Sequence, residues 1–145
     1  MRDFIERIEN DLPGTFVIAD MEAGLEHLSW AGGPLRYVDL LLVVVQPTAK
    51  VMMTADRTHK LAIELGIERI AFLGNRATGP ADVERMEAFA AERGCELLAA
   101  IPEDAAVPAA DRASRCVLDT APDSEAVKAI VGLAEWLEGQ CAPAG

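Results

Sequence analysis

The chain reads as a three-layer α/β domain with a mostly parallel sheet and flanking helices. Short apolar runs alternate with segments of helical periodicity, which is the pattern of βαβ units. The strongest run, Asp39 to Gln46, is continuously apolar, rich in valine and stopped by Pro47. A strand with no polar alternation is one covered on both faces, as in a parallel sheet. The composition fits, with 51% hydrophobic and 26% charged residues, enough apolar material for one buried core. Residues 1–140 are expected to form this single domain, with 141–145 as a frayed tail.

Taken in order, the first expected strand is Thr15 to Ala19, preceded by the turn pair Pro13-Gly14. The second is Asp39 to Gln46. Arg69 to Gly74 and Glu96 to Ile101 are the third and fourth. Between them, Thr48 to Leu65 has helical spacing, with Val51, Ala55, Leu61, Ala62 and Leu65 on a broad face and Gly66 placed to end the helix. Pro80 to Arg93 starts on proline and ends before Gly94, the usual asymmetry of helix ends. Asp123-Ser124 can cap a last helix through Leu137, whose apolar face is Val127, Ile130, Val131, Ala134 and Leu137.

Charge and cysteine usage exclude several function classes. The net charge of -11 disfavours sequence-independent binding to nucleic acid and attachment to anionic membranes, both of which need clustered Lys and Arg. The longest apolar run, Leu40 to Val45, is too short to span a bilayer. The three cysteines, Cys95, Cys116 and Cys141, form no close pair, so neither a disulfide framework nor a zinc site follows. A reducing cytoplasm is the expected compartment.

In open parallel sheets, ligands sit at the carboxyl ends of the strands. Asp20 to His27 follows the first strand, Gln46-Pro47-Thr48 the second, Gly74-Asn75-Arg76 the third and Pro102-Glu103-Asp104 the fourth. An Asp at the end of an apolar strand can hold the water shell of Mg²⁺. A Gly four residues on, Gly24, can bring its N–H to a terminal phosphate. The plainer alternative is that Asp20 caps a turn and Gly24 relieves a tight backbone. For Asn75 the alternative is an ordinary turn residue after glycine. His27 and His59 read as surface residues. Cys116, near Arg112 and Arg115, reads as an unreactive thiol. Trp30, Trp136, Met52 and Met53 read as packing or interface residues.

As an ordered set, Asp20-Met21-Glu22-Ala23-Gly24-Leu25-Glu26, the Leu40–Val45 strand with Pro47-Thr48, Gly74-Asn75-Arg76 and Ile101-Pro102-Glu103-Asp104 resemble the second half of the MinD/ParA-like P-loop ATPases. Within that group the chain is most similar to the carbon monoxide dehydrogenase maturation ATPases of the CooC type, which serve nickel insertion. The resemblance implies that Asp20 is the Walker-B aspartate, acting on Mg²⁺ through water, and that Gly24 is the switch II glycine. It implies that Asn75, with Arg76 beside it, reads the adenine edge. Pro102, Glu103 and Asp104 then form the loop over the base.

The family's Gly-rich, Lys-bearing P-loop has no counterpart in these 145 residues. Gly32-Gly33-Pro34 lacks the following Lys and helix start that a phosphate cradle requires. The expectation is therefore a nucleotide-switch half that binds ATP or ADP weakly or not at all alone and does not hydrolyse ATP. The expected partners are a second copy in a homodimer or a P-loop-bearing chain, contacting Gly24 to Leu35, and a metalloenzyme client. A non-catalytic interaction module on the same fold, and a truncated gene product, are the competing readings. The sheet edge should carry Asp20, Gln46, Asn75 and Glu103 together.

Overall fold

The Val-rich run forms strand β1, Leu41–Val45, and it pairs in parallel with β2, Ile70–Ala77, which pairs in parallel with β3, Leu97–Pro102. The computed structural model describes residues 17–21 and 38–141. The sheet order is β1-β2-β3, so each strand lies beside the next in the chain, and each connection is a helical crossover. Helices α1, Ala49–Glu64, and α2, Pro80–Ala91, make the two crossovers. After β3 come two short helices, α3 (Ala106–Arg112) and α4 (Val117–Thr120), and the long α5, Glu125–Cys141.

Register decides what is buried. The β1–β2 ladder runs from Leu41 opposite Ile70 to Val45 opposite Gly74. Alternation along it sends Val43, Val45 and Phe72 to one face, where they meet Ala55 of α1 and Met86, Phe89 and Ala90 of α2. Crossovers of one hand bring both helices to the same side. The rings of Phe72 and Phe89 meet edge-on at 5.3 Å, a favourable aromatic geometry. Helix α5 packs against β3, with Ala126 and Val127 buried outside that cluster.

Local chemistry sets the ends. Pro47 stops β1, and Thr48 is extended before α1 begins. Gly66, at φ +78°, ends α1 and donates its N–H to Ile63 O at 2.9 Å; an L side chain is disfavoured in that backbone conformation. Gly94, at φ +68°, does the same after α2. Buried Ala55, His59 and Ala62 fall at spacings of four and three residues along α1, the stripe that faces the sheet.

The expected strand over Thr15–Ala19 is a point of difference. Its described part, Val17–Ala19, is in no strand, and Val17 and Ile18 are 48% and 76% exposed. The sheet therefore has three strands among the described residues. An apolar run becomes a strand only when a neighbour takes its backbone hydrogen bonds. The one described neighbour of β1 is β2, so its outer edge offers no described bridge to Val17–Ala19. The tail at 142–145 lies outside the described residues.

Gly74 is required where β2 passes between α2 and β3. A Cβ there would stand 2.9 Å from Met86 Cε and 3.2 Å from Ala100 Cα. Met86 can turn aside, but the β3 backbone cannot without disturbing the ladder. Gly74→Ala should lower unfolding free energy by about 1–3 kcal/mol, the range for overpacking, read as a lower urea midpoint with an unchanged slope.

Candidate nucleotide-facing edge

The carboxyl ends of the strands gather Gln46-Pro47 from β1, Asn75 and Arg76 from β2, and Pro102-Glu103 from β3. Strand β2 runs three residues beyond the expected Gly74, so Asn75 is held in the ladder opposite Ile101 instead of in a loop. Its backbone is thereby held at the sheet edge by pairing with β3, one residue beyond the last β1 pair at Gly74.

The next residue breaks the register. Asn75 is opposite Ile101, yet Ala77 is opposite Pro102, so Arg76 is an extra residue, a β-bulge. Regular alternation would put Arg76 on the Phe72 face beneath α2 and Ala77 on the other. The bulge instead buries Ala77 in the main core and leaves Arg76 outside, which avoids burying a guanidinium in apolar surroundings. Arg76 takes φ +58° to do this, a left-handed conformation that costs a non-glycine residue about 1 kcal/mol or more. Its Nη2 donates to Glu103 Oε1 at 3.0 Å, with the two side chains 61% and 50% exposed. An ion pair so exposed contributes about 0–1 kcal/mol. Glu103 is also anchored through its backbone, donating its N–H to Ala77 O at 2.8 Å.

Asp104 is committed elsewhere. Oδ1 accepts the N–H of Ala106 at 2.8 Å and Oδ2 that of Ala126 at 3.3 Å. It ties the starts of α3 and α5 together. These N–H groups, Ala106 first and Ala126 next, hold its carboxyl below the usual carboxylate range. Its place is that of a structural cap behind the Pro102-Glu103 turn. Asp82 has a similar task in α2: it accepts the hydroxyl and N–H of Thr78, and both hold its carboxyl low.

An open hollow of about 840 Å³ lies beyond this edge, lined by Thr78, Pro80, Val83, Pro102, Glu103 and Lys128 among others. Pro102 and Glu103 belong to its wall, while Asn75 and Arg76 do not. Lys128 is paired with Glu125 at 2.8 Å.

Asp20 is not brought to this edge. It is exposed, and the adjoining Met21 packs against the Ala62–Ile67 cluster, where α1 ends and β2 begins. That is the amino end of the sheet, opposite Asn75. The expected grouping of Asp20 with Gln46, Asn75 and Glu103 is therefore met by the last three and not by Asp20. The physical reason is the missing ladder: Val17–Ala19 is unpaired, so nothing directs Asp20 to a carboxyl end. Gly24, His27 and Trp30 lie outside the described residues. Among the described residues no group of three His, Cys, Asp or Glu side chains is placed to hold a metal ion. The donor and acceptor of the Asn75 amide do suit an adenine edge.

Comparison with known proteins follows the same outline. No family model matches the chain. It is 37% identical over 110 residues, 73% of its length, to the carbon monoxide dehydrogenase accessory protein CooC of Rhodospirillum rubrum. The chain is a homologue of CooC. An uncharacterised ATP-binding protein of Methanocaldococcus jannaschii is 38% identical over 88 residues, 61% of the chain. Among solved structures, MinD of Aquifex aeolicus matches 95% of the chain with a TM-score of 0.78 at 21% identity. MinD of Pyrococcus horikoshii OT3, solved with Mg-ADP, matches 98% with a TM-score of 0.69 at 25% identity. The fold is thus that of the MinD-like P-loop NTPases. The chain spans 39% and 34% of the length of the two relatives, and 59% of each MinD chain. No helix among its described residues is long and apolar enough to cross a membrane.

One cluster escaped the sequence reading. His59 is buried, not on the surface, with Nε2 3.4 Å from Cys95 Sγ and its ring 5.8 Å from that of Phe72. Its charged neighbours Arg57 and Lys60 suggested exposure, whereas its spacing from Ala55 and Ala62 puts it on the inner stripe. Arg93 closes the cluster, bonding Asp56 at 2.8 Å and lying 3.5 Å over the Phe89 ring. Met53 and Cys116 are exposed, and Met52 packs against the main core.

Burial, and next the Arg93 charge, push the His59 pKa down. A histidine held neutral in the fold contributes stability above its unfolded value of about 6.5, and that stability is lost as pH falls through the lower folded value. Urea midpoints should therefore drop as pH falls below about 6.5. In His59→Gln the slope in this window should flatten, since no imidazole remains there to charge on unfolding.

Proposed function

We propose that this chain is the nucleotide-switch half of a CooC-like metallocentre-maturation ATPase, the half that holds the base. The carrying observation is the meeting of Asn75, Arg76, Pro102 and Glu103 at the carboxyl ends of β2 and β3 in a chain 37% identical to a carbon monoxide dehydrogenase accessory protein. The name of the M. jannaschii relative, an ATP-binding protein, supports ATP or ADP as the ligand. The client is a metalloenzyme, with nickel as the metal handled, and the compartment is the cytoplasm.

Phosphoryl transfer depends almost wholly on positioning and on neutralising phosphate charge. The described residues supply only the base end, and the chain carries a net charge of -11. The phosphate end falls to a P-loop-bearing segment, in another chain or in a longer form of this one. We assign that segment to the outer edge of β1, between β1 and Val17–Ala19. The added strand would give Val17–Ala19 its ladder partner, bring Asp20 to the carboxyl edge as the Walker-B residue, and let Gly24 act in the switch. Exposure of Val17, Ile18 and, on β1, Val44 supports this, because unpaired apolar edges template strand addition. Dimerisation with Gly24 to Leu35 at the contact belongs to the same reading.

The isolated chain should show no Mg-ATP turnover. Supplied with a polypeptide carrying the P-loop half of a CooC relative, it should release phosphate, and Asp20→Ala should cut that rate by about two orders of magnitude, as expected for one preorganised electrostatic group. Turnover by the chain alone that Asp20→Ala abolishes would refute the division of labour. Restored turnover indifferent to Asp20→Ala would refute the role of Asp20.

A further inference from the structure

The pair Arg76–Glu103 is built at a cost that its own attraction does not recover. Arg76 adopts φ +58°, where glycine would sit without strain, and it gains one exposed contact, Nη2 to Oε1 at 3.0 Å. The bulge itself is explained by the burial of Ala77; the choice of arginine there is not. A long cation directly after Asn75 and beside Pro102 is positioned to act on whatever Asn75 holds. Glu103 occupies that cation in the ligand-free fold. Its backbone is fixed to Ala77 O at 2.8 Å, so its carboxylate stays within reach of Arg76.

We infer that Glu103 is an internal competitor for Arg76: nucleotide binding trades the Arg76–Glu103 pair for a contact of the guanidinium with a nucleoside diphosphate. This inference rests on the nucleotide reading of the edge. Exchange is inexpensive because the pair is exposed and held by one contact, the class of ion pair that water already weakens. A guanidinium suits the new partner, since it can stack on a base face or fork to an anionic oxygen. Glu103, in this account, lowers nucleotide affinity, which opposes its expected role as a base-holding residue.

The two residues of one pair should then have opposite effects on binding, which a merely structural pair would not produce. Amide chemical shifts of the 145-residue chain would be followed while ADP is added into the millimolar range, for the wild type, Glu103→Gln, Arg76→Ala and Arg76→Gly. Glu103→Gln, which keeps the backbone bond to Ala77, should tighten ADP by about two- to fivefold, the range equivalent to releasing one exposed pair. Both Arg76 variants should weaken it, and Arg76→Gly, freed of backbone strain, should do so while keeping a native spectrum. Glu103→Gln binding equally or more weakly than wild type, with shifts still centred on Asn75, overturns the exchange and leaves the site standing. No ADP-induced shift near Asn75 in either wild type or Glu103→Gln overturns the site, and the exchange with it.

Discussion

The β1–β2–β3 ladder is the constraint on which the rest of this structure hangs. Five parallel pairs, from Leu41–Ile70 to Val45–Gly74, fix β1 against β2, and the second ladder fixes β3 with two register shifts, between Phe72 and Leu73 and at Arg76. Those bonds decide which side chains enter the core and which reach the carboxyl edge. They also hold β2 and β3 so close at Gly74 that no side chain fits there. The dependence holds in the negative as well. Val17–Ala19 has the composition of a strand, but without a ladder it neither joins the sheet nor carries Asp20 to the edge.

This explains how much could be read from the residues alone. The parallel α/β class, three of the strands and the three long helices were legible, because continuous apolar runs and glycine stops are local signals. The positions of Asn75 and Pro102 at the carboxyl edge were legible for the same reason. Asp20 was not: its placement depends on a strand neighbour, which no local pattern encodes. The bulge at Arg76 was also hidden, since it arises from competition between burying Ala77 and burying an arginine, a choice made only when α2 packs. Asp104 looked like part of the loop over a ligand, yet its carboxylate faces the starts of α3 and α5. For His59 the local signals conflict: Arg57 and Lys60 beside it favour exposure, while its spacing from Ala55 and Ala62 puts it on the buried stripe.

In the proposed reading, the site is half of one. Its base end is rigid, set in strands and braced behind by Asp104. For the phosphate end, the acidic balance of the chain, a net charge of -11, works against a polyanion. A ligand that is purine at one end and triphosphate at the other would thus be gripped by one part of the protein and charge-neutralised by another. Under the proposed division, nucleotide occupancy would report on assembly.

The central claim is that the edge formed by Asn75 and Pro102 receives the adenine base. Intermolecular nuclear Overhauser effects between ADP and the isotopically labelled chain test it most directly. Contacts from adenine H2 and H8 to the Asn75 side-chain amide and the Pro102 ring are the predicted result. Contacts confined to the neighbouring hollow around Val83 and Lys128, with none at Asn75, would contradict it.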